Sequence, residues 1–330
     1  MKEYNWLSLH LYTIWDFDHF INNAIIPVIE TLEHRFGIGE FFFIRYFDKG
    51  PHIRLRIRGT GEQLKCEIEP YLRRYFLSYF KQHPSDDIAY HRLSGNAPDI
   101  LPNDSLHLAR YVPEYSRYGE QLGVDLAERL FILSSKTVFR WLKGRIPIDY
   151  GERIGIAMKM HVVFIYHVLG FKEGLQQLQS TEETWFGKAK RFTEGNRQRT
   201  LSSEEVLAAF EQSFQSNKEN MMEVISHIWC SLEEGTNMEE VWLDQWSQGL
   251  KEFENVLEAN CTNILSNITL FFADADGCGE GKSMHKKRFL VDSYIHMTNN
   301  RLGILNRDES FVAYLLRRTL QTLNEKVLLR

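Results

Sequence analysis

The chain has 330 residues, of which 43% are apolar, 25% charged and 13% aromatic. That composition suits a globular protein able to bury its own core, and it excludes a disordered or fibrous chain. A formal net charge of −5 gives no global attraction to nucleic acid, so any anion binding has to come from a local basic patch.

The four cysteines, Cys66, Cys230, Cys261 and Cys278, have neither metal-ligand nor redox spacing, and they read as reduced, mostly core thiols. No charged leader followed by an apolar run opens the chain, so no signal peptide is expected. The longest apolar stretches, such as 41–44 and 162–165, are too short to cross a bilayer. A cytoplasmic location is expected, with no membrane contact and no direct nucleic-acid binding.

In chain order, Trp6 to Tyr12 alternates apolar and polar residues, which predicts a half-buried strand. Asp16 to Phe36 predicts a helix, with Pro27 imposing a kink or a late start. Phe41 to Phe47 predicts a second strand, Asp48-Lys49-Gly50 a turn, and His52 to Arg58 a third strand of strict alternation, giving a β-hairpin. Glu62 to Phe80 reads as helix, and the polar, proline-containing stretch from Gln82 to Leu108 as a long loop. Gly123 to Leu142, Arg153 to Leu169, Ser202 to Phe214, Met221 to Leu232, Trp242 to Ile264, Phe289 to Leu302 and Asp308 to Leu328 carry helical apolar stripes. Asp274 to Lys287 reads as a Gly-rich loop. Early strands and later helices predict an α+β fold: an antiparallel sheet with packed helices and a helix-rich second half, in one domain over 1–330, with a family-variable helical region around 184–247.

Two patterns carry chemistry. Arg54, Arg56 and Arg58 alternate with Ile53, Leu55 and Ile57, so their guanidinium groups share a strand face with His52 and lie within about 14 Å of one another. Such a cluster suits carboxylates held in two-point contact; a solvated face paired with glutamates is the other reading. Asp292, His296 and Asn300 recur every four residues and share a helix face, so Asp292 is placed to orient His296 as a general acid or base. A satisfied surface histidine is the alternative. Glu114 and Arg117 flank Ser116 ahead of Tyr118-Gly119, where a helix start after Pro113 is equally plain. The loop 276–283 imitates a phosphate loop, but Asp276 occupies the position that requires glycine. His161 and His167 are six apart and do not face together, and no His-Glu-x-x-His occurs, so no metal is expected.

Together these blocks resemble a known family. A Trp-Leu-Ser-Leu-His-Leu-Tyr strand precedes Phe-Phe-Ile-Arg45-Tyr46-x-Asp48-x-x-Pro51-His52-Ile-Arg54-Leu-Arg56. Then come Glu114-x-x-Arg117-Tyr118-Gly119, Ala127-Glu128 with Phe131 and Ser134-Ser135, and His296-Met-x-x-Asn300-Arg301-Leu-Gly-Ile. The order and spacing are similar to the C-terminal domain of class I lantibiotic dehydratases and its free-standing versions, the thiopeptide-type bacteriocin biosynthesis proteins. Departures are Glu120, where the family often has a second glycine, and the enlarged loop before Arg117.

The resemblance implies a lyase that eliminates glutamate from glutamylated Ser or Thr of a precursor peptide, leaving dehydroalanine or dehydrobutyrine. It implies catalytic roles for Arg54, Arg56, Arg117 and His296. Arg45, His52, Asp292, Asn300, Arg301 and Glu114 would bind substrate or support the site. It also implies a precursor peptide with a leader and a separate tRNA-dependent glutamylating protein as partners, and no cofactor; a homodimer is an allowed assembly. The same family includes pyridine synthases, which join two dehydroalanines in a formal [4+2] reaction and expel the leader peptide. A non-catalytic module that docks the peptide in a dehydratase complex is a third reading, and it predicts no loss of catalysis on changing His296.

Overall fold

The computed structural model describes residues 4–94, 99–194, 197–269 and 280–326. The part of the Gly-rich segment that carries Asp274, Asp276 and Cys278 lies outside the described residues. The chain forms two compact units, one of residues 1–113 with 131–147, the other of residues 114–130 with 148–330.

The first unit is built on an antiparallel sheet of β1 (Tyr4–Tyr12), β2 (Phe41–Phe47), β3 (Pro51–Thr60) and β4 (Ser105–Leu108) in the order β2-β3-β1-β4. Register follows the alternation: Leu7, Leu9 and Leu11 stand opposite Ile57, Leu55 and Ile53 on one face. Slipping one residue would turn every one of these to the other face, so burial fixes the pairing. This apolar face shares a core with Phe20, Ile25, Val28 and Leu32 of a helix over 17–36, and with Leu72 and Phe76 of a helix over 61–82.

Both helices carry a proline, and both meet it in the same way. A π-helical turn, Ile21–Ile25 or Leu64–Ile68, precedes an α segment with proline in its first turn. Proline lacks an N–H and its ring presses on the carbonyl four residues back. Those carbonyls, of Asn23 and Cys66, lie within the widened turns, so neither helix breaks.

The expected loop from Gln82 to Leu108 is instead partly regular. It contains a helix, Asp87–Ser94, and the edge strand β4. Asp104 ties it down, accepting from the Thr13 hydroxyl at 2.8 Å and from the Ser85 hydroxyl and N–H at 2.8 and 2.6 Å. Those bonds span up to 91 residues, which local propensity does not register. At the other edge, β2 is covered by the second half of a helix, Glu120–Leu142: Phe139 packs on Phe41 and Phe43, and the Ser135 hydroxyl accepts from the Phe43 N–H at 3.3 Å.

The second unit is helical apart from a small hairpin of Arg191–Glu194 and Arg197–Thr200. Its axis is Tyr150–Val168, buried almost all round from Ile154 to Ile165 and started by Asp149, whose carboxylate accepts from the Gly151 and Glu152 N–H groups. Around it stand Gly170–Ala189, Ser203–Glu234, Val241–Asn267, Glu280–Leu302 and Glu309–Glu325. The two stripes read as separate helices at 202–214 and 221–232 form one, because the polar residues between them include no glycine or proline to stop it. Residues from Glu280 onward, read as part of a loop, are helical. No described cysteine is fully buried: Cys66 is exposed, and Cys230 and Cys261 are half-buried, which corrects their reading as core thiols.

Candidate functional site

In the first unit, Arg54 and Arg56 lie on the polar face of the sheet, as their alternation requires. Register builds that face in rows. Ile44, Arg54, His10 and His107 stand side by side across the four strands, between a row of Tyr46, His52, Tyr12 and Ser105 and a row of Phe42, Arg56 and Ser8. Arg54 is held from three sides: its Nε donates to Nε2 of His52 at 3.1 Å, its guanidinium lies 3.6 Å from the Tyr46 ring centroid, and Asp48 is a distant 3.8 Å away. Arg56 lies between the rings of Tyr111 and Phe42, at 4.6 and 5.1 Å. Aromatic faces therefore hold both guanidinium groups, a cation–π arrangement that fixes them while keeping their charge. Arg58 is more exposed, paired with Glu40 at 3.2 Å and 6.0 Å from the Trp6 ring centroid.

His10 and His52 on this face are neutral at pH 7. Burial, then Arg54, pushes His10 down to about 3. Burial pushes His52 down to about 4, and its Nδ1 donates to the Gly50 carbonyl at 2.9 Å, which leaves Nε2 to accept from Arg54. Three of the rings, His10, His52 and Tyr12, stack. Neither of these two histidines adds to the positive charge that Arg54 and Arg56 bring to the face.

Arg45 does not join them. It stands opposite Ile53 on the apolar face and pairs with Asp18 at 2.5 Å, both side chains nearly buried. The strand's alternation puts Arg45 and Tyr46 on opposite faces.

In the second unit, His296 is the centre. Its Nδ1 lies 2.7 Å from Oε1 of Glu309, a buried carboxyl at the start of Glu309–Glu325. Trp185 stacks on the imidazole, centroids 4.8 Å apart and planes 16° from parallel. The predicted partner, Asp292, accepts instead from the Thr181 hydroxyl at 2.8 Å. Helical spacing puts Asp292 near His296, but the bonded carboxylate comes from the next helix. Burial pushes the Asp292 carboxyl up, with Thr181, His296, Trp185 and Arg117 opposing.

Arg117 sits in the same electrostatic neighbourhood, 5.7 Å from the Phe289 ring centroid and paired with Glu114 at 3.2 Å. The turn behind it demands glycine: Gly119 has φ +89°, and a Cβ there would meet the Ile264 carbonyl oxygen at 2.3 Å. Glu120 follows at φ 62°, a backbone conformation that glycine suits better than glutamate. Arg301 is fully buried and donates to the Met297 carbonyl at 2.6 Å. Asn300 is half-buried on that helix.

Sequence reasoning missed Glu309, Trp185 and Thr181. None sits in a recognisable pattern with His296. Glu309 follows it by thirteen residues across a turn, and Trp185 and Thr181 come from a helix, Gly170–Ala189, with no motif.

The family model described as lantibiotic biosynthesis dehydratase C-term matches residues 6–320. The chain belongs to this family. A curated relative of the family protein, the nisin biosynthesis protein NisB of Lactococcus lactis subsp. lactis, is 23% identical over 321 residues, which is 95% of this chain and 25% of NisB. Among solved structures, the pyridine synthase TbtD from thiomuracin biosynthesis superposes with a TM-score of 0.70 at 17% identity, covering 97% of this chain and 99% of TbtD. TsrL gives 0.67 at 15% identity, covering 98% and 96%. The tRNA-dependent lantibiotic dehydratase MibB from Microbispora sp. 107891 gives 0.56 at 18%, covering 97% of this chain and 28% of MibB. The family protein thus spans about a quarter of the length of NisB and MibB and nearly all of TbtD and TsrL. At these identities the structural likeness speaks for the fold. Among the described residues, no helix is long and apolar enough to cross a membrane.

Proposed function

We propose that this member of the dehydratase C-terminal family is a lyase that eliminates glutamate from glutamylated Ser or Thr in a precursor peptide. The observation that carries the reading is His296, bonded to a buried carboxylate and standing in the electrostatic neighbourhood of Arg117. Elimination needs a base for the Cα proton. The electrons of that C–H bond form the Cα=Cβ double bond, and the Cβ–O bond breaks to release glutamate as a carboxylate. His296 takes the proton. Arg117 stabilises the carboxylates of the glutamyl group, including the one that develops on the leaving oxygen, and the family resemblance assigns Arg54 and Arg56 to the same task. His52 and Tyr46 keep Arg54 aimed. The peptide reaches this step already glutamylated, and the family resemblance assigns that glutamylation to a tRNA-dependent activity.

A second reading has one observation in its favour: nearly the whole of the pyridine synthase TbtD is covered by this chain. In that reading the basic residues bind the leader and an amide rather than glutamate. Mass spectrometry separates the two. Incubation with a peptide bearing a glutamyl-serine ester is expected to release glutamic acid and leave dehydroalanine. Ring closure and leader release from a peptide bearing two dehydroalanines, with the ester left intact, would overturn the elimination reading.

A further inference from the structure

Behind His296 lies a chain of buried groups that the proposed chemistry does not itself require. Oε1 of Glu309 meets His296 Nδ1 at 2.7 Å, and Oε2 accepts from Asn299 Nδ2 at 3.1 Å. Asn299 Oδ1 in turn meets His161 Nε2 at 2.7 Å. Glu309 is 1% exposed, Asn299 1% and His161 3%, so water competes for none of these bonds.

The direction of donation along this chain is set by chemistry. His161 is neutral, its basicity pushed down to about 4 by burial. With Nε2 protonated it donates to the Asn299 carbonyl oxygen. That orientation turns the Asn299 amide N–H groups toward Glu309. The carboxylate then receives from both sides, from Asn299 on one oxygen and from His296 Nδ1–H on the other. Its place in the first turn of a seventeen-residue helix adds the favourable end of the helix dipole to an anion that burial alone disfavours.

We infer that Glu309 is the positioning residue of His296: its carboxylate, oriented by Asn299 and His161, holds the imidazole as the Nδ1–H tautomer and leaves Nε2 as the nitrogen that moves protons. Trp185 completes the arrangement by covering one face of the ring, so rotation about its last bond would break both the stack and the Glu309 bond. The inference deepens the proposed elimination and rests on it for the identity of the proton moved, but not for the tautomer.

Glu309→Gln places an unusual demand on the imidazole. A glutamine offers one oxygen and one amide. Asn299 supplies donors, so the oxygen must face Asn299, and the amide then faces His296 Nδ1 as a donor. The imidazole has to answer by accepting at Nδ1 and carrying its proton on Nε2, the wrong nitrogen for a base. Adding Asn299→Leu removes that demand, frees the carboxamide to turn, and should bring the Nδ1–H tautomer back.

The test is long-range 15N–1H NMR on the full chain labelled with 15N-histidine, with His296 assigned by its loss in His296→Gln. Wild-type protein is expected to show His296 protonated at Nδ1, Glu309→Gln at Nε2, and the double variant at Nδ1 again. A wild-type His296 protonated at Nε2 would overturn the inference without any variant having to fold. So would a Glu309→Gln spectrum identical to wild type. Turnover of the glutamyl-ester peptide adds a second readout: Glu309→Gln is expected to lower kcat by at least about 10²-fold with KM little changed, the pattern of a wrong tautomer. If wild-type protein releases no glutamate while the tautomers behave as stated, the proposed function fails and the positioning of His296 stands. If it releases glutamate and Glu309→Gln matches it, the positioning role fails alone.

Discussion

Arg45 and Arg54 stand on adjacent, paired strands yet on opposite faces of the sheet: Arg45 is opposite Ile53 and ion-paired with Asp18, while Arg54 is opposite Ile44 and His10 on the polar face. The two arginines therefore answer to different measurements. Arg45→Ala leaves the Asp18 carboxylate in a site that is 9% exposed, and is expected to lower unfolding stability by about 3 kcal/mol in urea melts. Arg54→Ala is expected to change stability by less than about 1 kcal/mol.

Activity should divide the arginines the other way. With the glutamyl-ester peptide, Arg54→Ala, Arg56→Ala and Arg117→Ala are each expected to lower kcat/KM by about 10²-fold or more, the usual loss when one stabiliser of developing charge is removed. Arg58→Ala is the control, because Arg58 is spent on a surface pair with Glu40, and its kcat/KM should stay within about twofold. Loss confined to one unit's arginines would remove the other unit's from the reaction.

The turn after Arg117 makes a prediction about stability. Gly119→Ala has to accept φ +89° and a Cβ against the Ile264 carbonyl, and is expected to cost more than about 2 kcal/mol. Glu120→Gly relieves a glutamate held at φ 62° and is expected to stabilise by about 0.5–1 kcal/mol. Denaturant midpoints of the two variants should move in opposite directions.

Acid should weaken the fold through its buried histidines. His52 and His161 are both pushed from 6.5 down to about 4 by burial. Above pH 6.5 each is neutral whether folded or unfolded and contributes nothing to the pH dependence. Between the two values the unfolded chain takes up a proton that the folded chain does not, so stability falls as pH falls, by up to roughly 1.4 kcal/mol per pH unit for each histidine. Below about pH 4 both states are protonated and this loss stops growing. Urea midpoints measured from about pH 7 to pH 5 should show the decline, and His161→Gln, which keeps a donor toward Asn299, should flatten it.

The legible part of this protein was periodic or contiguous. Strict alternation over His52 to Arg58 placed Arg54 and Arg56 on one face, and the register bears that out. Helical stripes located most of the second unit's helices to within a few residues, but Gly170–Ala189 was not read as a helix at all, and polar segments hid a continuation at 215–220 and 280–288. Asp292 shows the limit. Spacing along one helix proposes a partner for His296, but which carboxylate closes the bond depends on the helix packed beside it.

By itself, then, the sequence determined the fold class, the family and the sheet face that carries the arginines, because these follow from side-chain period and from residues close together in the chain. Only the tertiary structure decided that Glu309 bonds His296, that Arg45 belongs to the apolar face with Asp18, and that aromatic rings lie against the guanidinium groups of Arg54 and Arg56. Those partners come from 13 to 55 residues away or across strands. A hydrogen bond or a cation–π contact depends on distances of a few ångströms that packing sets and local pattern does not encode.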